Sequence, residues 1–233
     1  MKVSLICPIF SENSKSTARA DWTLRLQDLE SFFKAFPIEV ELVAVVDSKD
    51  TTDTTWKTLS EYDFQKVKLK AHLNTEFLGR GAAVARGLSM ATGDLLIVCS
   101  ADWALSLGEM FKFIQEALAQ PEIDLFLGNR FSPKKKTTGT RTRWHHVLEM
   151  IVFEKAKNKF PSFKDPTCPY WAIRRSALTK LSENFDSNQW FYTLDLLKRL
   201  PLQGISVQEI DLQVRFTASE RIPLWREFLR NAF

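Results

Sequence analysis

Cysteine is scarce in this chain, and long apolar runs are missing altogether. Three cysteines (Cys7, Cys99, Cys168) among 233 residues are an odd number with no CxxC pair. That pattern excludes a disulfide framework, gives no zinc-site spacing and fits a reducing cytosol. Cys7 and Cys99 sit inside apolar runs, where a thiol serves as a small hydrophobe. No uninterrupted apolar stretch approaches the ~18–20 residues of a membrane span, so a soluble protein, at most resting on a membrane surface, is expected. The opening KVSLIC is too short for a signal-peptide core and soon reaches Pro8. The net charge of +4 is a mild excess and does not imply nucleic acid. A glycine-rich phosphate loop after the first strand is absent, which argues against a nucleotidyltransferase. Gly79-Arg80-Gly81 is no GxGxxG fingerprint and follows no strong strand, so a dinucleotide site is rejected. His145 and His146 have no acidic neighbour in sequence and read as helix surface.

The most informative stretch is Asn74 to Leu107, NTEFLGRGAAVARGLSMATGDLLIVCSADWALSL. Gly79-Arg80-Gly81 opens a helix whose Ala82, Ala83, Val84 and Leu88 suit close packing. Gly93 stops that helix, and Asp94 to Cys99 contains LLIVC, short enough for a buried strand. The run ends in Ser100-Ala101-Asp102-Trp103, and Ser106 can cap the next helix. Open α/β sheets bind ligands at the carboxyl ends of their strands, so a site is expected here.

The rest of the chain follows the same rhythm. Strands are expected over Lys2–Cys7, stopped by Pro8, then Glu39–Val46, Val67–Ala71 and Ile123–Gly128. Helices are expected over Thr17–Phe36, Thr54–Tyr62 and Leu107–Ala119. This alternation predicts an α/β fold with a parallel sheet and right-handed crossovers. After residue 130 the character changes. Ser132–Arg143 (SPKKKTTGTRTR) reads as a mobile basic loop, Trp144–Phe160 as a helix and Asp165–Pro169 as an irregular turn. A short strand over Tyr170–Ile173, helices over Arg175–Leu181 and Asn188–Leu200, and a strand over Ile205–Val214 complete the pattern. Ile222–Phe233 is amphipathic, with Leu224, Trp225, Phe228 and Leu229 opposing Arg226, Glu227 and Arg230.

Five segments carry a resemblance. VSLICPIFSEN resembles the opening strand and loop of family 2 glycosyltransferases, roughly VSVVIPAYNE. VELVAVVDSKDTTDTT resembles their second strand and acidic loop, usually VVDDGSTDGT, with one residue inserted here. GRGAAVARGLSMATGDLLIVCSAD resembles GKGAAVRAGLEAARGDYVLFLDAD. IDLFLGNRF resembles VIGSRF, and DPTCPYWAIRRSAL resembles DTQCGFKLFRREAL. The match covers nearly the whole chain in order and spacing, and it is nearest to the dolichyl-phosphate (polyprenyl-phosphate) sugar transferases.

That resemblance implies a GT-A (nucleotide-diphospho-sugar transferase) fold, a mostly parallel central sheet flanked by helices. Residues 1–233 would form one domain, with a nucleotide-binding half at 1–130 and an acceptor half at 131–233. It implies a hexosyltransferase moving sugar from a nucleoside-diphosphate sugar to a polyprenyl phosphate with inversion. Pro8, Phe10, Glu12 and Asp47 would shape the nucleoside pocket, and Arg80, where the family usually has Lys, would face the diphosphate. The family DxD reads Ser100-Ala101-Asp102 here, so Mg²⁺ or Mn²⁺ would rest on Asp102 with Ser100 beside it. Arg130, Arg141 and Arg143 would offset the acceptor phosphate, and Asp165 would position the sugar or a loop. Two alternatives stay open: a non-catalytic nucleotide-sugar binder, because the DxD is degenerate, and an inverting transferase to a saccharide hydroxyl with Asp165 as base. The expected location is cytoplasmic. Ile222–Phe233 would either bring the chain to the inner face of a membrane or pack on the sheet or a dimer partner. Trp103 and Trp171 read as core packing.

Overall fold

The computed structural model describes residues 1–10, 22–47, 54–63, 65–74, 78–101, 103–132, 143–181 and 192–215. Seven strands form one sheet: β1 (Lys2–Phe10), β2 (Glu39–Asp47), β3 (Val67–Asn74), β4 (Leu95–Val98), β5 (Leu125–Asn129), β6 (Trp171–Arg174) and β7 (Val207–Asp211). Their order across the sheet is β3-β2-β1-β4-β6-β5-β7, and every pairing is parallel except those of β6. The helices are α1 (Trp22–Lys34), α2 (Thr54–Glu61), α3 (Arg80–Met90), α4 (Leu107–Ala119), α5 (Arg143–Lys159), α6 (Arg175–Lys180) and α7 (Tyr192–Arg199).

β1, β2 and β4 are near-continuous runs of Val, Ile and Leu because helices cover both faces of the sheet's centre. β3 lies at an edge, half-buried, with Lys68 and Lys70 among its residues, and such charges discourage pairing with a stray strand.

Two details depart from the sequence expectation. Pro8 does not end β1, which continues to Phe10. Even-numbered residues of β1 turn their backbone groups toward β4, since Lys2 O accepts from Asp94 N (2.7 Å) and Ile6 O from Cys99 N (3.0 Å). β4 stops at Val98, so the N–H that proline lacks falls where the ladder has already finished. The second departure is β6, inserted antiparallel between β4 and β5. The turn before it, residues 165–170, lies at the carboxyl rim of the sheet, so the chain must run back down.

Arg174 and Arg175 fasten the opposite rim. The Arg174 guanidinium donates to the carbonyls of Ala117 (2.5 Å), Gln120 (2.9 Å) and Ile123 (2.7 Å) at the C-terminus of α4. A cation there satisfies carbonyls that the helix leaves open. Arg175 Nε donates to Gly93 O at 2.7 Å.

Candidate active site

At the carboxyl rim the register sets Phe10 opposite Asp47 and Asp47 opposite Asn74. Asp47 is fully buried, and both its carboxylate oxygens accept backbone N–H groups, from Leu78 at 3.1 Å and from Gly79 at 2.8 Å. Burial raises its carboxyl above the usual range, while those two N–H groups and Asn74 pull the other way. Asp47 thereby fixes the entry to α3. Gly79 takes φ 92°, a left-handed value that a side chain would strain, and α3 begins at the next residue, Arg80. Arg80 is itself 5% exposed.

Burial raises the phenol of Tyr192, the first residue of α7, above its ordinary value, and the Arg80 guanidinium pulls it the other way. Tyr192 is fully buried, and its hydroxyl donates to Pro169 O at 2.6 Å. The next residue, Thr193, donates to Cys168 O at 2.9 Å. The start of α7 is therefore anchored on the 165–170 turn.

The same turn receives the ends of β4 and β5. Ser100, two residues beyond β4 and buried, has its hydroxyl 3.3 Å from that of Tyr170. Arg130, one residue beyond β5, faces Asp165 in a forked pair, Nε to Oδ2 at 2.7 Å and Nη2 to Oδ1 at 3.0 Å. Its backbone N–H also donates to Oδ2 at 3.1 Å, Nη2 donates to Thr167 Oγ1 at 2.9 Å, and Thr167 donates to Oδ1 at 3.0 Å. Arg130 is 6% exposed and Asp165 0%. Burial alone would lower the guanidinium's pKa, but Asp165 beside it holds it above its ordinary value. The expected roles of this pair shift accordingly. Arg130's charge is already offset by Asp165, and Asp165's oxygens are occupied, because the two sit within hydrogen-bond distance and out of water.

A second carboxylate beside them is also engaged. Asp211, at the end of β7, accepts from Asn129 Nδ2 (2.8 Å) and Ser132 Oγ (2.6 Å), while Asn129 Oδ1 accepts from Phe131 N (3.1 Å). This network steadies the start of the basic loop.

The structure thus gathers Ser100, Arg130 and Asp165 directly on one turn, and Arg80 acts electrostatically on Tyr192, which is anchored there. Asp47 joins through the two backbone N–H groups before Arg80. Pro8 is buried in β1, which Phe10 ends, and Arg143 opens α5. Glu12, Asp102 and Arg141 lie outside the described residues, as does the segment Ile222–Phe233. Trp171 is fully buried, as expected. Trp103, read as core, is only partly so. It adopts φ 51°, rare for a bulky residue, directly after Asp102, and its N–H closes a turn on Ser100 O at 3.2 Å. Tyr170 and Tyr192 escaped the sequence reading. One looked like the first residue of a strand and the other like an ordinary helix position; the only signal was the adjacency of Tyr170 to the DPTCP turn.

A divalent cation finds little support among these carboxylates. Among the described residues no group of three His, Cys, Asp or Glu could hold one. Asp47, Asp165 and Asp211 are each committed to protein donors. A cation would rest on Asp102, with phosphate oxygens and water completing its shell.

A mostly parallel sheet with one reversed strand, and polar groups gathered at its carboxyl rim, defines the GT-A class of nucleotide-diphospho-sugar transferases. Solved structures of that class are similar throughout the chain. Mannosyl-3-phosphoglycerate synthase from Rubrobacter xylanophilus matches with a TM-score of 0.64 at 15% identity, covering 97% of this chain and 70% of that one. Glucosyl-3-phosphoglycerate synthase from Mycobacterium tuberculosis, solved with Mn²⁺ and uridine-diphosphate-glucose, matches with a TM-score of 0.59 at 14% identity, covering 99% and 76%. The chain belongs to glycosyl transferase family 2, whose profile matches residues 4–182. It is 23% identical to glycosyltransferase AglD of Haloferax volcanii over 98% of this chain and 35% of that protein. It is 27% identical to dolichol-phosphate mannosyltransferase of Pyrococcus furiosus over 79% of this chain and 49% of that one. It is 20% identical to the dolichyl-phosphate beta-glucosyltransferase of Homo sapiens over 96% and 71%. The chain thus spans about a third and about half of the first two relatives.

Proposed function

We propose that this glycosyltransferase transfers a hexose from a nucleoside-diphosphate sugar to a polyprenyl phosphate, inverting the anomeric centre. The observation that carries the acceptor class is the state of Asp165. A saccharide hydroxyl would need a carboxylate base, and the candidate is fully buried with both oxygens taken by Arg130 and Thr167. A phosphate acceptor is ionised at neutral pH and needs no base. Its oxygen attacks the anomeric carbon, the bond to the donor diphosphate breaks, and the departing diphosphate takes the electron pair. The names of the archaeal and human relatives, which act on dolichol phosphate, favour the same acceptor.

The residues divide the work. Asp47, Glu12, Pro8 and Phe10 shape the nucleoside pocket. Arg80 faces the diphosphate from the first turn of α3, where a helix N-terminus also favours an anion. Asp102, with Ser100 two residues before it, would hold Mg²⁺ or Mn²⁺, which would supply charge neutralisation at the leaving diphosphate. Arg130 and Asp165 together set the 165–170 turn. Arg141 and Arg143 offset repulsion between acceptor phosphate and donor diphosphate.

The test is a thermal-shift screen of UDP, GDP and their hexose conjugates, with and without Mn²⁺. One nucleoside diphosphate should stabilise the chain, by about 2.7 kcal/mol at a hundred times its Kd. Incubating that sugar donor with a short polyprenyl phosphate should then give a lipid-linked phosphosugar. No stabilisation by either nucleotide would sink the donor assignment. Transfer to saccharide hydroxyls but not to the lipid would sink the acceptor assignment.

A further inference from the structure

β7 lies beyond residues 4–182, the stretch that the family profile matches, yet two of its carboxylates reach the segments around the site. Glu209 and Asp211 are two residues apart and so share one face of the strand. Glu209 Oε1 accepts from Lys164 N (2.7 Å) and Asp165 N (3.1 Å), at the start of the 165–170 turn. Asp211 divides its oxygens: Oδ1 accepts from Asn129 Nδ2 at 2.8 Å and Oδ2 from Ser132 Oγ at 2.6 Å. The two donors flank Arg130 and Phe131, so one carboxylate grips both ends of residues 129–132. The bond from Ser132 is short and charge-assisted, the stronger kind. Asp211 is itself well fixed. Its neighbours Ile210 and Leu212 are buried, and Leu212 N donates to Asn129 O at 2.9 Å. Farther on, Gln213 N donates to Glu109 Oε2 (2.9 Å) and Arg215 N to Ala104 O (2.8 Å).

Resting on the acceptor assignment above, we infer that Asp211 is a positioning residue for the acceptor phosphate: through Ser132 it fixes the near end of the basic loop that carries Arg141. The far end is fixed where α5 begins, at Arg143. A loop tied at both ends presents its cations at a lower entropic cost than one with a loose end. Asp211 needs no contact with either substrate to do this. Its two oxygens are what the task requires, one for the amide of Asn129 and one for the hydroxyl of Ser132.

The experiment measures transfer kinetics for the wild-type chain, Ser132→Ala, Asp211→Ala and the double variant. The donor is UDP-glucose or GDP-mannose, whichever the wild type uses, and the acceptor is farnesyl phosphate, a short polyprenyl phosphate. Ser132→Ala should raise the KM for the acceptor by about threefold to tenfold, the worth of one hydrogen bond, and leave the donor KM nearly unchanged. A purely structural role would lower the folded fraction, and with it kcat, while sparing both KM values. Asp211→Ala should raise the acceptor KM at least as far. The double variant should then lose little beyond Asp211→Ala, because the partner of Ser132 is already gone. Should Asp211→Ala fail to fold, Ser132→Ala decides by itself. An unchanged acceptor KM in Ser132→Ala, an equal rise in the donor KM, or additive losses in the double variant would overturn the inference while leaving the acceptor assignment standing. Failure of the wild-type chain to glycosylate farnesyl phosphate overturns both.

Discussion

Glu41 is a fully buried carboxylate in the middle of an apolar strand, at the sheet rim opposite the site. It accepts from Ser4 Oγ (2.6 Å), Thr92 N (2.5 Å) and Thr92 Oγ1 (2.8 Å), with Lys70 at 3.1 Å and Lys2 at 3.3 Å. Burial alone would raise its carboxyl, yet the bonds from Ser4, Thr92 and Lys70 bring it down to about 2. A carboxyl lowered on folding stabilises above its unfolded value of 4.5 and loses that contribution as pH falls toward 2. The contribution near neutral pH is on the order of 3 kcal/mol. Urea denaturation should therefore show Glu41→Gln destabilised by about 2–4 kcal/mol at pH 7, with a shallower loss between pH 5 and pH 2 than the wild type. An unchanged acid limb would refute the assignment. The Arg130–Asp165 pair makes a second prediction. Asp165→Asn strands a buried cation and should cost about 3–5 kcal/mol, whereas replacing the two together with Met and Leu should cost much less. Chemical denaturation of the three variants checks both halves. These residues were unequally visible in the sequence. Arg130 and Asp165 stood out singly, but nothing in one dimension joins them, and Glu41 was concealed within a run that reads simply as strand.

Among the elements, α3 is the one whose placement matters most for the site. It lies close against β1: a Cβ added at Gly87 would come within 2.4 Å of Ile6 Cγ2. Gly87→Val should push the helix off the sheet, lower stability by about 1–3 kcal/mol and weaken nucleotide binding by displacing Arg80. Melting temperature and nucleotide affinity, measured together, check it; a stable variant with full affinity would show that the close approach is dispensable. Gly79→Ala acts on the other end of the same helix. Its left-handed backbone should cost about 1–3 kcal/mol when a Cβ is added. Elements with strong period or clear caps were legible from sequence. The helix over Leu107–Ala119 begins at Ser106, which accepts from Glu109 N, and its bounds match the expected ones. β6 was expected as a strand, but four residues, WAIR, three of them apolar, carry no mark of direction or of neighbour. Pro8 misled because proline's effect depends on which side of the strand its missing donor faces.

At the scale of the whole molecule, the gross architecture was legible because alternating strands and helices admit few topologies. The assembly of the site was not, since it depends on a turn whose partners come from β4, β5 and α7. The stretch with the most basic residues, and the amphipathic end, lie outside the described residues, and no described helix is long and apolar enough to cross a membrane. The membrane reading can be tested directly. The full chain should co-sediment with vesicles containing phosphatidylserine, and a chain ending at Arg215 should do so several-fold less. Equal sedimentation of both would remove the amphipathic end from membrane binding.

The bend at 165–170 carries a consequence for anyone wishing to alter what the enzyme accepts. Its six residues hold Ser100 through Tyr170, Tyr192 through Pro169 and Arg130 through Asp165, so under the proposed function it braces the groups assigned to both substrates. Under that assignment, swapping this segment for that of a relative should alter donor and acceptor use together, which kinetics with both substrates would check. Changes of acceptor that preserve the donor should instead arise in the basic loop and α5.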